Sequence, residues 1–257
     1  DGGFVFLGFG SYDLVDTNEG RALLTTTGSG IGILEGEEST YAKPVLVDEL
    51  PQGLRDRVVG GPLLITSKTN ARSTVHRRVR MDYIGVKKLD EEGRIAGEDR
   101  FLGLFTSQAY SEDAAQIPIL RQKLHAILES SGVMKGTHDY KETITIFNSM
   151  PKEDLFLTSA EQIGSEIQAV LSLYHSHEVK VTLRPDPLQR GVTIMAILPK
   201  EKFSGDVRKA IEQAFIERFD GEVLNYHLAL GSGDQARLHF YISTTPDRLA
   251  AVDEAEL

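Results

Sequence analysis

Thr66-Ser67-Lys68-Thr69-Asn70-Ala71-Arg72-Ser73-Thr74-Val75-His76-Arg77-Arg78 is dense in hydrogen-bond donors and locally basic, in a chain whose net charge is −10. An arginine presents a planar fork that grips a carboxylate or phosphate through two bonds, and amide or hydroxyl groups beside it can complete the shell. Asn70, Arg72, Thr74, His76 and Arg77 are therefore the candidate contacts for a regulatory ligand or a subunit interface. The same run also fits a plain loop whose cations pair with the chain's many carboxylates.

Other chemistry has little support. Gly8-Phe9-Gly10-Ser11 and Gly28-Ser29-Gly30-Ile31-Gly32 are glycine-rich. Neither has the helix and later acid of a dinucleotide fingerprint, nor the Lys-Ser/Thr ending of a Walker loop, so they read as turns. His175-Ser176-His177 offers two imidazoles without a third ligand and reads as a solvated helix end, and His138-Asp139 reads as a turn. There is no Gly-x-Ser-x-Gly elbow and no cysteine, which removes thiol nucleophiles, disulfides and thiolate metal sites. The sequence assigns no catalytic residue and no metal ligand.

The elements that would position the basic run are strands. Phe4–Val15, Ala22–Thr27 with an extension at 31–34, Pro62–Ser67, Arg80–Lys88 and Ile95–Thr106 carry β patterning, the last two joined as a hairpin by a polar turn at 89–94. Leu63, Leu64 and Ile65 form a continuous apolar run, the pattern of a buried strand. Residues 35–61 give a helical signal only near Val47–Arg57. From Ser111 the period becomes helical. Ser111 is a candidate N-cap, Pro118–Ser130 a helix with Ile119, Leu120, Leu124, Ile127 and Leu128 on one face, Tyr140–Ser149 a second ended by Pro151, and a third starts near Ser159. Strands return at Val179–Leu183, Val192–Leu198, Glu222–Leu230 and Arg237–Ser243. An amphipathic helix, Phe203–Phe219, lies among them, and Gly231–Asp234 makes the last turn. Counting the preceding helix, the end of the chain reads αββαββ. Moving its final strand to the front gives βαββαβ, the order of a ferredoxin-like or ACT unit.

The fold class expected is α+β: an antiparallel sheet unit at 1–110, a helical connector at 111–175 and an ACT-like αββαββ sandwich at 176–257. Both ends read as cuts, because the chain enters a strand at Phe4 and a helix begins only at 248–252. The acidic average charge opposes nucleic acid and anionic membranes alike. No apolar run reaches the length of a membrane span and no signal peptide is visible, so a cytoplasmic chain is expected.

Beyond this patterning, Thr66–Arg77, Met81-Asp82-Tyr83-Ile84-Gly85-Val86-Lys87 and Arg100-Phe101-Leu102-Gly103-Leu104-Phe105-Thr106-Ser107 resemble the N-terminal half of the large NAD-dependent glutamate dehydrogenases of bacteria. Phe4-Val5-Phe6-Leu7-Gly8 with Tyr12, Ile117–Lys123, Pro151–Phe156 and Arg184-Pro185-Asp186-Pro187 are similar to the same family. The resemblance implies a PAS-like first sheet and an ACT-like last one, in a regulatory region cut from a longer enzyme. It implies that the parent oxidatively deaminates L-glutamate to 2-oxoglutarate and ammonium with NAD. This stretch itself would hold no cofactor, because the family's catalytic residues and dinucleotide loop have no counterpart here. The partners implied are the enzyme's own catalytic C-terminal half, further copies in a homo-oligomer, and an amino-acid or other small-metabolite effector. The alternative role is an assembly module without a ligand.

Overall fold

The alternating segment Phe4–Thr17 forms a long strand, β1, and turns back through Thr17 to Gly20 into β2 (Gly20–Thr25). Around this hairpin the computed structural model builds one antiparallel sheet with β3 (Ile31–Gly32), β4 (Val45–Leu46), β5 (Leu64–Arg72), β6 (Arg80–Leu89) and β7 (Ile95–Phe105), in the order β4-β2-β1-β7-β6-β5 with β3 also on β1. The structure describes residues 2–35, 43–174, 176–186, 190–230 and 234–250. The chain divides into two compact units, Asp1–Ser111 and Glu112–Leu257.

In the first unit helix α1 (Gln52–Val59) lays Leu54 and Val58 against Tyr12, Leu14, Leu23, Val47 and Leu50, which makes one face of the sheet a core. The expected hairpin is present, with Lys87 opposite Glu98 and Lys88 opposite Gly97. Two expectations change. The run at 63–65 is not a buried strand: β5 is the last strand of the sheet, and only Ile65 is buried while Leu63 and Leu64 are exposed. Residues 31–32 do not extend the second strand but pair with Gly8 and Phe9 of β1. Ser111 ends a short helix, α2 (Ser107–Ser111), rather than starting one; Asp113 caps the next turn by accepting from the Ala115 N–H.

The second unit opens with helices α3 (Pro118–Ser130), α4 (His138–Ser149), α5 (Lys152–Leu157) and α6 (Ala160–Ser172). The starts follow local chemistry: proline stands in the first turn of α3, and the Thr137 and Ser159 hydroxyls accept from the Tyr140 and Gln162 N–H groups at the caps of α4 and α6. Helix α5 fills a stretch for which the sequence gives no helical period. Strands β8 (Lys180–Pro185) and β9 (Gly191–Pro199), helix α7 (Gly205–Phe219), strands β10 (Glu222–Leu230) and β11 (Gln235–Ser243) and the short helix α8 (Pro246–Ala250) complete it, with sheet order β10-β11-β9-β8, antiparallel throughout. The last strand, β11, sits between β10 and β9, the central place that the first strand of a βαββαβ unit takes.

The helix expected to complete that unit is on the other side. Successive residues of a strand point to opposite faces. Val192, Ile194, Ala196 and Leu198 of β9 pack with Phe215 and Phe219 of α7, whereas Met195 and Ile197 pack with Ile163, Ile167 and Val170 of α6. Helix α6 therefore belongs to a layer with α3, α4 and α5, opposite α7. Leu249 of α8 packs with the α7 layer. The sandwich is ββαββα, closed by the helix after the last strand, and the αββαββ reading is corrected accordingly. The turn expected at 231–233, Pro187, His175 and residues 251–252 lie outside the described residues.

Candidate functional site

The donor-rich run leaves β5 with Lys68 opposite Asp82, skips register, and rejoins with Arg72 opposite Arg80. Lys68 Nζ lies 2.7 Å from Asp82 Oδ1, and Asp82 Oδ2 accepts from the Phe105 N–H at 2.7 Å, so the strand end is pinned by a largely buried charge pair. The loop beyond is shaped by Ser73, whose hydroxyl donates to the Val75 carbonyl at 2.6 Å while its N–H reaches the Val79 carbonyl at 2.9 Å. His76 has φ 60, a left-handed backbone that tightens the tip.

Arg72, at the end of β5, and Thr74, His76 and Arg77 on the loop are all exposed. The Arg77 guanidinium donates to the Phe105 carbonyl at 2.8 Å and that of Arg72 to the Arg78 carbonyl at 3.5 Å. The structure thus places three of the expected residues on one short loop and Arg72 at the strand end that leads into it, but turns the two arginine forks toward the chain's own backbone at separate carbonyls. The Asn70 side chain lies outside the described residues.

The same sheet hides a charge network that the sequence reading missed. Under α1, Lys87 Nζ lies 2.6 Å from Glu98 Oε2 and donates to the Arg57 carbonyl at 2.6 Å, and Tyr83 donates its hydroxyl to Glu98 Oε1. Arg57 stacks over the Tyr83 ring at 4.5 Å. Burial alone would raise the Glu98 carboxyl, yet the bonds from Lys87 and Tyr83 hold it below the ordinary carboxylate range; burial lowers the Lys87 ammonium against the pull of Glu98. Gly85 faces this carboxylate, and a Cβ there would run into it. The hairpin turn sets Leu89 opposite Ile95, but it is the register shift between Lys88 and Leu89 that places Lys87 opposite Glu98, and no sequence signal marked that shift.

In the second unit the polar groups gather where the α3–α6 layer meets the sheet. Arg184 of β8 is ion-paired with Glu166 of α6 and with Asp154 of α5, the latter at 3.3 Å. Gln235 donates to the Val170 carbonyl at 3.3 Å, Asn225 to Glu153 at 2.9 Å, and Tyr174 to Glu142 at 2.6 Å. Lys123 Nζ donates to the carbonyls of Leu155, Phe156 and Thr158 at 2.8, 2.8 and 2.7 Å, closing the end of α5; burial pulls its pKa down to about 8. Along α6 and β8 runs a groove of about 500 Å³, lined by Gln162, Ser165, Glu166, Lys180, Thr182 and Arg184 among others. Its walls can offer hydroxyls, amides and the Lys180 ammonium to a small polar molecule.

Among the described residues no cluster of three or more His, Asp or Glu is placed to hold a metal ion, and no helix is long and apolar enough to cross a membrane.

Comparison with known proteins adds names to this geometry. Residues 117–176 match the family model "Glutamate dehydrogenase, helical motif 1" and residues 180–257 match "Glutamate dehydrogenase, ACT2 domain". The chain is 27% identical over 240 residues to the NAD-specific glutamate dehydrogenase of Halomonas elongata and 29% identical over 259 residues to that of Pseudomonas aeruginosa, alignments that cover 93% and 100% of this chain. The protein of the same name from Mycobacterium tuberculosis is 24% identical over 242 residues, 94% of this chain. The chain spans only 15%, 16% and 14% of the length of these relatives.

Proposed function

We propose, from the premise that this chain belongs to the glutamate dehydrogenase family through its helical motif 1 and ACT2 domain, that it is a non-catalytic, ligand-sensing regulatory region of an NAD-specific glutamate dehydrogenase. The observation that carries the reading is the groove between α6 and β8. Helix α6 lies in the helical motif and β8 opens the ACT2 domain, so a molecule held there touches both and favours whichever arrangement of the two it fits best. The region reads as a PAS-like sheet at 1–110, supported by its helix-bearing connection between early and late strands, then a helical connector at 111–175 and the ACT2 unit at 176–257. Its partners are the catalytic half of the enzyme, further copies of the chain, and an amino acid or similar small metabolite as effector. NAD binds the catalytic half, where glutamate is oxidised.

A thermal-shift screen against amino acids, nucleotides and 2-oxo acids tests this. A ligand at a hundred times its Kd adds about 2.7 kcal/mol to the state it binds. The expected result is a raised melting point of the second unit that Lys180→Ala and Gln162→Ala reduce. A flat screen at millimolar ligand would remove the sensing reading.

One observation favours assembly instead. The first sheet leaves Phe6, Leu64 and Val86 exposed, an apolar surface of the kind that meets another protein. Concentration-dependent sedimentation that Val86→Glu abolishes would support it.

A further inference from the structure

His239 lies in the middle of β11, opposite Met195 of β9, on the face covered by α3–α6, and is 5% exposed. The fixed charges around it are cations. His227 of β10 has its ring centroid 6.1 Å away, Arg237 is two residues along the same face of β11 and itself buried, and Arg184 of β8 adds a second positive field. Lys123 of α3 adds to the field at Arg184. The carboxylates of the helical layer are engaged elsewhere: Glu166 and Asp154 with Arg184, Glu153 with Asn225, and Glu142 with the Tyr174 hydroxyl. The described contacts give His239 no facing carboxylate that would compensate a charge on its ring.

We propose that His239 makes the junction between the helical layer and the sheet acid-labile, so that protonation drives α4–α6 off the polar face of the ACT2 sheet. The physical sequence is short. A neutral imidazole fits the dry layer beside Met195 and Ile197. A proton adds an unpaired charge to a site that already faces the cations of Arg237 and Arg184, and the cheapest relief is for the helical layer to lift and admit water. Burial first, then His227, Arg237 and Arg184, hold the ring neutral down to about 3. Because the folded value lies below the ordinary histidine value of about 6.5, the stabilisation is complete above pH 6.5 and is lost as pH falls toward 3. At pH 5 the closed arrangement is expected to lose about thirtyfold in its closing equilibrium relative to pH 7 through this group alone.

The test is an acid titration of the full chain, with the imidazole signals followed by NMR and amide exchange followed segment by segment. The expected result is a His239 ring that stays neutral at pH 5. Amides of α4 and α6 should gain exchange before those of β9 and β11, and His239→Gln should flatten this acid dependence by about thirtyfold. A His239 ring that titrates near 6.5 in the closed state overturns the proposal, even where His239→Gln fails to fold. So does simultaneous opening of helices and sheet, or a His239→Gln variant with an unchanged acid profile.

Discussion

The two sheets solve the same burial problem differently. The second is covered on both faces, by α7 and α8 on one side and by α3–α6 on the other, so its central strands β9 and β11 are buried almost along their whole length. The first has the eight-residue α1 on one face and only the five-residue α2 besides, whose Tyr110 meets Phe105 and Asp82; its open face mixes Phe9, Phe101 and Val86 with a charge cluster in which Lys88 reaches Ser11 and Asp13 while Ser11 donates to Asp99 at 2.6 Å. The second sheet therefore draws its stability from packing. The first concentrates its specificity in the Glu98 network beneath α1. Truncation of apolar side chains should discriminate between them most sharply. Phe240 is 1% exposed and meets the Phe215 ring at 5.7 Å, so Phe240→Ala should cost about 3–5 kcal/mol in thermal unfolding of the second unit. Phe9→Ala on the open face of the first sheet should cost well under half of that, and equal losses would erase the contrast.

Charge removal should rank the sheets the other way. Glu98→Gln keeps the shape but leaves Lys87 buried without its anion, a loss of about 3 kcal/mol confined to the first unit. Near-equal melting of Glu98→Gln and the parent would mean that water enters beneath α1 and screens the pair. Gly85→Ala belongs to the same experiment: its methyl would displace a carboxylate already held by Lys87 and Tyr83, so the two substitutions together should lose less than their sum.

This contrast also marks how far the sequence could be read. Elements with one apolar face were legible: α3 begins at Pro118 as the pattern requires, α6 follows its Ser159 cap, and every strand of the second sheet falls within a residue or two of its alternating segment. What failed was the assignment of faces. Leu63-Leu64-Ile65 looks buried by composition but lies at the start of an edge strand, where Ile65 is covered and Leu63 and Leu64 are exposed. Helix α6 has the apolar stripe that a sandwich helix needs, yet its stripe meets Met195 and Ile197 instead of the α7 face, a choice made by α3 and α4 packing beside it. In β11 the alternation of Leu238, Phe240 and Ile242 marks one buried face, but Arg237 and His239 on the opposite face are buried as well, which alternation alone does not reveal because a polar residue in a strand is usually exposed. Of the donor run, the sequence located an exposed basic loop, but the directions of Arg72 and Arg77 depend on the carbonyls of Arg78 and Phe105, which only the closed sheet brings near. The groove beside β8 had no sequence signal at all, because it needs α6 and β8 in place together.

Caps give a smaller, local measure. Ser159→Ala removes the hydroxyl that accepts from the Gln162 N–H at 3.2 Å and should lower the stability of the second unit by about 1 kcal/mol, leaving the first unit's melting unchanged. A first unit that softens as well would mean that the two sheets unfold cooperatively, and the contrast between them would have to be redrawn.

The smallest expected effect concerns the loop that the sequence singled out. Arg72 and Arg77 are exposed, and each makes one bond to a backbone carbonyl that water can replace, so Arg72→Ala and Arg77→Ala should each change stability by no more than about 0.5 kcal/mol. That near-silence makes the pair informative. A substitution that leaves folding intact but shifts sedimentation toward the monomer would assign the loop to an interface between copies. A loss of more than about 1 kcal/mol would show instead that the bond from Arg77 to the Phe105 carbonyl holds the end of β7 in place, and the exposed loop would then belong with the Glu98 network as part of what the first sheet uses in place of a second helical layer.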